Sequence, residues 1–460
     1  MVSICRSRFG LGLMILLGAG LLQPLLGQAQ IARELTFASS PNPVGSGARA
    51  LGRGGAFIAM ADDATAASWN PAGLANLEFP EVSGVVSFLS RNESVDFGAG
   101  AVRSEDFNTN TLDLNYLSAV YPTEALPVYL VFSFNYQLLY TFNRSVGYHF
   151  SGPRTADVMS LNSSGRVQYD QAGALSALSP ACAVEITHRF SLGATLNYWN
   201  SAASPNGWDQ RFRYWEAGDL TLGSNTYPFS AHSDIQERYR LTGDNLNFHL
   251  GLLWDINDHW RLGAVYKSEL VAKVKHQRQF FSGQYFPTFS GWTSVTAAEQ
   301  TFRETLHLPP VYGLGVAFQP SDRWSFDLDV SRTEWNRYIL EDEKGHRFNL
   351  IKGRIGGHAD VQPTHQARLG MEYLYIKNRT VFPIRAGVFY DPEPNVGQPQ
   401  NVWGASLGGG YAKGKILLDA AYQLRWGQNL ESEVVADQKS QRDLLESVFL
   451  VSMIVHLKKG

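Results

Sequence analysis

From residue 81 onward, apolar and polar positions alternate with a period of two. In KILLDAAYQLRW (residues 415–426), Ile416, Leu418, Ala420, Tyr422, Leu424 and Trp426 form one face. Lys415, Leu417, Asp419, Ala421, Gln423 and Arg425 form the other, largely polar face. HQARLGMEYLY, WSFDLDVS and NLNFHLGLLWD repeat the pattern. Such alternation marks strands with one apolar face. It predicts about fourteen strands, near 81–91, 111–121, 127–139, 171–187, 190–201, 242–256, 260–275, 309–319, 323–335, 364–375, 381–390, 402–412, 415–425 and 445–457.

The connections alternate in length. Short turns at 122–126, 188–189, 257–259, 320–322, 376–380 and 413–414 follow the even strands. Long polar loops, including 140–170, 202–241, 276–308 and 336–363, follow odd ones. A soluble sandwich would have tight turns at both ends. An even number of strands with short turns at one end and long loops at the other predicts a transmembrane antiparallel barrel with its apolar face toward lipid. Aromatics near the strand ends (Tyr121, Tyr129, Trp254, Trp260, Phe318 and Trp324 at the short turns, Trp335, Tyr390 and Trp426 opposite) suit two interfacial girdles.

The N-terminus fits an exported chain. Arg6 and Arg8 precede an apolar run at 11–22, and Gly27-Gln28-Ala29 offers small residues for cleavage. We read residues 1–29 as a signal peptide. The remainder holds a single cysteine, Cys182, so no internal disulfide forms. It carries 37 basic against 42 acidic residues, which does not suggest a nucleic-acid binder.

Catalytic chemistry is not apparent. GSGARALGRGG (45–55) lacks the lysine of a phosphate loop, and the histidines lack metal-ligand spacing. Asp62 and Asp63 are adjacent, and on a helix or strand they would diverge rather than share a substrate. They are expected to cap or precede a short helix at 64–69. These features predict no enzyme, no metal and no cofactor. Residues 30–80 are rich in Gly and Ala and hold too few large apolar side chains for a core of their own. They are expected to fold as a hatch inside the barrel of residues 81–460.

GARALGRGGAFIAMADDATAASWNPAGLANLE (47–78) resembles the N-terminal region of the FadL/TodX outer-membrane transporters. The family's Asn-Pro-Ala signature is matched by Asn70, Pro71 and Ala72, followed by Gly73, with the acidic pair Asp62-Asp63 upstream. LPPVYGLGVAF, WSFDLDVSRTEW and IRAGVFYDPEP look like its C-terminal strands. The resemblance implies an all-β, fourteen-stranded outer-membrane barrel closed by a hatch with short helices. It implies a monomer that passively moves long-chain fatty acids or other hydrophobic compounds through a lumen site and a lateral exit into outer-membrane lipid. Related barrels act as secretion scaffolds, so the alternative is a barrel holding a protein partner for secretion or surface display. One departure is the end, VSMIVHLKKG, with Leu457 where such barrels carry an aromatic.

A fatty acid needs an apolar channel and a polar or cationic anchor for its carboxylate. The polar strand faces offer Lys267, Arg368, Arg385 and Arg425. Each either takes a ligand or pairs with lumen acids such as Asp327, Asp329, Glu372 and Asp419. Tyr148, Phe150, Trp208, Phe212, Tyr214 and Trp215 in the long loops either form a capture groove or pack internally.

Overall fold

A computed structural model describes residues 45–96, 105–123, 128–156, 159–289, 291–351, 354–355, 361–435 and 438–457. The signal-peptide residues, the start of the hatch and the terminal Lys458-Lys459-Gly460 lie outside these. Two short helices come first, α1 (Ala48–Gly52) and α2 (Ala66–Trp69), then a 3-10 helix (Pro71–Asn76). The strands follow: β1 (Glu81–Asp96), β2 (Glu105–Thr123), β3 (Leu130–Thr141), β4 (Arg144–Ala156), β5 (Met159–Thr187), β6 (Phe190–Trp199), β7 (Asn206–Leu222) and β8 (Asn225–Leu241). Next come β9 (Asn245–Asp255), β10 (Trp260–Lys267), β11 (Leu270–Phe286), β12 (Gly291–Leu308), β13 (Val311–Ser321), β14 (Trp324–Thr333) and the short β15 (Ile339–Glu341), β16 (Arg347–Asn349) and β17 (Arg354–Ile355). The last are β18 (Thr364–Lys377), β19 (Thr380–Tyr390), β20 (Trp403–Lys413), β21 (Ile416–Val435) and β22 (Gln438–His456).

Fourteen of these close a barrel by antiparallel pairing, in the order β1, β2, β3, β5, β6, β9, β10, β13, β14, β18, β19, β20, β21, β22. The ring shuts where β22 meets β1, from Glu81 opposite His456 to Asp96 opposite Gln441. Closure leaves no free edge, so backbone polar groups are satisfied without water. Leu457 donates its N–H to the Pro80 carbonyl at 2.7 Å, tying the chain's end to the start of the ring. Outward positions are apolar and bare, with Leu407 and Leu314 at 67% and 63% exposure. A continuous apolar belt of this kind belongs against lipid.

Two expectations are corrected. The long loops are largely strand. β4 and the first half of β5, the hairpin β7–β8, the hairpin β11–β12 and β15–β17 extend the sheet beyond the barrel at the end opposite the short turns. Their polar outer positions hide a period of two whose inner positions are aromatic: Tyr148, Tyr214, Phe229 and Phe286 share a core above the barrel. The strand expected at 260–275 is two strands. β10 stays in the barrel between β9 and β13, whereas β11 leaves it to pair with β8 and β12.

Trp254, Trp260 and Trp324 stand exposed at the short-turn end, and Trp426 near the other. Tyr129 and Trp335 do not join the girdles. Tyr129 turns inward and its hydroxyl donates to the Leu77 carbonyl. Trp335 is fully buried, its indole N–H bonded to Thr364 Oγ1 at 2.9 Å, because β14 ends before it and a 3-10 turn carries it into the lumen.

Candidate functional site: a sealed lumen

The segment before β1 fills the lumen at the short-turn end. Its helices are five and four residues long, so most of its backbone lacks a helical partner. Wall side chains supply those bonds. Asp329 accepts the N–H groups of Phe57 (2.6 Å) and Ile58 (2.8 Å). Ser406 Oγ accepts from Gly54 N (2.8 Å) and donates to Gly52 O (3.1 Å). Thr195 donates to Ala67 O (3.0 Å) and Tyr116 to Ala64 O (3.2 Å).

Close approach of the two backbones depends on glycines in the wall. A Cβ on Gly387 would lie 2.2 Å from Gly54 N, one on Gly370 2.4 Å from Arg53 O, and one on Gly193 2.3 Å from the Pro71 carbonyl carbon. Gly251, Gly263, Gly315 and Gly408 meet hatch atoms at 2.0–2.9 Å in the same sense. Seven strands thus present their backbone to the hatch with no side chain between. These wall glycines are not among the residues that the sequence pattern singles out, which are the hatch's own. The signal was visible as glycine recurring at inward-facing positions of otherwise good strands.

The motif residues hold this arrangement. Asn70 is extended (φ −141°, ψ 104°), with Pro71 opening the 3-10 helix behind it. Its Nδ2 donates to Ile58 O (2.9 Å) and to Leu252 O on β9 (3.0 Å), while Oδ1 accepts from Ala72 N (3.2 Å). Asn70 therefore caps the 3-10 helix and staples hatch to wall. Gly73 is required where it stands, since a Cβ there would meet Ala61 O at 1.6 Å. Asp63 precedes α2 and accepts from Thr65 N (2.8 Å) and Thr65 Oγ1 (2.6 Å). Instead of diverging, Asp62 and Asp63 share Arg49, at 2.5 and 3.8 Å, because the two lie in neither a helix nor a strand and the chain bends at Asp63.

Charges form two connected layers. In the lower one Arg53, fully buried, reaches Asp327 (Nε, 2.6 Å), Ser325 (2.9 Å) and Glu372 (3.1 Å). Arg385 bonds Glu372 and Asp419, each at 2.5 Å. The upper layer runs Arg368–Asp391 (3.5 Å), Asp391–Arg425 (3.4 Å) and Arg425–Glu393 (3.3 Å). It continues through Arg442, which bridges Glu393 and Glu93, to Arg144 (3.0 Å from Glu93). Arg368 also donates to Gly54 O at 2.8 Å. Of the four cations expected to meet ligand, Arg368, Arg385 and Arg425 are thus engaged by carboxylates. Lys267 differs: its Nζ donates to the neutral Ser68 carbonyl at 3.1 Å.

Beyond the charges, at the outer end of the lumen, lies a buried apolar cluster. It includes Phe142, Leu175, Trp199, Trp208, Tyr239, Leu270, Leu306, Trp335, Tyr338 and Leu340. Trp208 stacks on Tyr239 at 4.6 Å. Leu270 of the cluster is three residues from Lys267, whose ammonium reaches the hatch at the Ser68 carbonyl. Of the six aromatics expected in the long loops, Tyr148, Trp208 and Tyr214 are buried, and Phe150 and Phe212 pack partly against the upper core. Trp215 is half exposed. Among the described residues no group of three or more His, Cys, Asp or Glu is placed to hold a metal.

A sequence profile described as outer membrane protein transport protein (OMPP1/FadL/TodX) matches residues 36–449. Among curated proteins none matches. Solved structures do. A Pseudomonas aeruginosa FadL homologue aligns with TM-score 0.59 at 16% identity, over 90% of this chain and 99% of that one. The P. putida toluene transporter TodX aligns with TM-score 0.55 at 16% identity, over 90% and 99%. The Ralstonia pickettii toluene transporter TbuX gives 0.52 at 12%, over 91% and 100%. At these identities the likeness is one of fold.

Proposed function

The chain belongs to the OMPP1/FadL/TodX family of outer-membrane transport proteins, and from that premise we propose that it carries hydrophobic small molecules inward from the apolar cluster at its outer mouth. The observation that supports this is the cluster itself. An aromatic-rich apolar patch suits a hydrophobic solute, and Lys267, three residues from Leu270 in the chain, offers a cation for the carboxylate of a fatty acid. An acid bound at Lys267 displaces only a neutral carbonyl, whereas at Arg368, Arg385 or Arg425 it must displace a carboxylate. Monoaromatic hydrocarbons, carried by the named toluene transporters, need no anchor at all. Below the cluster the charged layers and hatch block a straight path, so the solute leaves sideways through the wall into the bilayer. No nucleotide or metal enters this scheme.

Uptake of labelled oleate and labelled toluene, by cells with and without the gene, tests the reading. Uptake of at least one should depend on the gene. Lys267→Met should reduce oleate uptake and spare toluene. Gene-independent uptake of both, with no binding of either by the purified barrel, would reject the transport reading and favour a scaffold. Equal loss of both substrates in Lys267→Met would reject the anchor.

A further inference from the structure

Outside the lumen, the outer face of the extended sheet carries a basic row that its neighbouring carboxylates compensate only in part. Arg303 on β12 lies directly opposite Lys275 on β11, and Lys275 directly opposite Arg240 on β8. Lys273 stands two residues below and Arg238 two residues beyond, on the same face. Lys273, Lys275 and Arg303 are exposed, and Lys273 and Lys275 have no ion pair among the described residues. Nearby acids are few. Asp209 takes both Arg238 (3.3 Å) and Arg240 (2.9 Å). Glu343 accepts the Arg303 backbone N–H (2.9 Å), and Glu341, beside Thr305, is paired with Arg347 (3.0 Å). Farther out the same sheet is balanced, with Arg211 on Asp234 and Arg213 on Asp170, each at 2.6 Å.

Like charges directly opposite on neighbouring strands repel. A row of three persists more easily where an outside anion compensates it. The row's height identifies that anion. Val271, half exposed on the same face of β11, is the apolar residue that precedes Lys273 on that face, and we take it as the upper edge of the lipid-facing belt. At ~3.3 Å per strand residue and a strand tilt of about 40°, Lys273 stands about 5 Å and Lys275 about 10 Å beyond it along the membrane normal. That is the depth of the headgroup layer. We propose that Arg240, Lys273, Lys275 and Arg303 bind the phosphate groups of anionic lipid headgroups in the outer leaflet. The inference rests on the barrel's orientation and not on the transported substrate.

The test uses the full chain in detergent with bisphosphorylated lipid A, its dephosphorylated form, and inorganic phosphate, counting bound lipid by native mass spectrometry across a salt titration. Wild type should retain the phosphorylated lipid about tenfold better than the dephosphorylated one, and lose it as salt rises. The folded triple variant Lys273→Gln, Lys275→Gln, Arg303→Gln should lose that preference. The charge-keeping Lys273→Arg, Lys275→Arg, Arg303→Lys should keep it, which also decides the matter if the glutamine variant does not fold. Equal retention of both lipids, salt-independent retention, or displacement by millimolar inorganic phosphate would overturn the proposal.

Discussion

Gly387→Ala is the smallest change that tests whether the hatch is sealed by direct backbone contact. The added Cβ would stand 2.2 Å from Gly54 N and 2.4 Å from the Arg53 carbonyl carbon, where ordinary contact begins at 3.4 Å. Both opposing atoms are backbone, so the hatch must retreat by more than 1 Å. That retreat stretches two bonds now at 2.8 Å, Gly54 N to Ser406 Oγ and Arg368 Nη1 to Gly54 O, past useful range. Overpacking costs about 1–3 kcal/mol, and the two bonds, one of them charged, about 2–4 kcal/mol more. The ratio of docked to undocked hatch should fall by a factor on the order of 10² to 10⁵. Gly409→Ala is the control, since a Cβ there meets only Pro383 O, at 3.7 Å. Single-channel recording in planar bilayers should show openings in Gly387→Ala that are absent from wild type and control, with faster protease nicking of residues 45–80. Indistinguishable recordings and nicking for the two alanine variants would refute the reasoning.

Asn70→Ala removes a cap, a bond within the hatch and a bond to the wall, and should lower barrel stability by about 2–4 kcal/mol, read as the midpoint of heat-modified gel mobility. Arg53→Met strands Asp327 beside a lost partner and should cost about 3–5 kcal/mol, while Arg53→Met with Asp327→Leu should recover most of it by the same readout. In the extended sheet His276 lies 3.5 Å from Glu237 and 3.2 Å from Glu304, under Tyr239 (4.1 Å) and beside Phe302 (5.2 Å), with Arg278 also 3.5 Å from Glu237. Burial opposes the His276 charge, but the two carboxylates outweigh it and raise its pKa above 6.5; burial likewise opposes Glu237, but His276 and Arg278 hold it below 4.5. A raised histidine stabilises below its unfolded value and loses that as pH climbs through the folded one, and a depressed glutamate stabilises above its unfolded value and loses that as pH falls. Corrected amide exchange in β8, β11 and β12 should therefore be slower near pH 5.5 than near pH 8.5, and His276→Gln should erase the difference.

How much of this was legible in sequence follows from what fixes each feature. The barrel strands and short turns could be read because lipid on one side enforces a period of two, as in β14 and β21. The hatch motif could be read because Asn-Pro fixes a local turn. The extended hairpins could not, because water on their outer face removes the apolar half of the signal and leaves Arg211, Arg213 and Trp215 looking like loop. Tyr129 and Trp335 were misplaced because one position of strand end decides inside from outside. The pairing of Arg385 with Glu372 and Asp419 depends on registers across β18, β19, β20 and β21. No local spacing encodes it.

Those pairings also explain why a lipid-embedded barrel keeps so much charge in its lumen. The hatch is short on large apolar residues and on regular secondary structure, so apolar burial alone cannot hold it. What it offers the wall is backbone N–H and carbonyl groups, which become costly if buried without partners. Asp329, Ser406, Arg368, Lys267, Thr195 and Tyr116 each answer one or more of them. Once those wall charges are buried they need counter-charges of their own, which Asp391 provides for Arg368, and Arg53 must in turn be met by Asp327. The glycine ring brings the backbones close enough for such short bonds to form. Small residues in hatch and wall, and the alternating charges around them, are two consequences of filling a barrel with a segment that has little regular secondary structure.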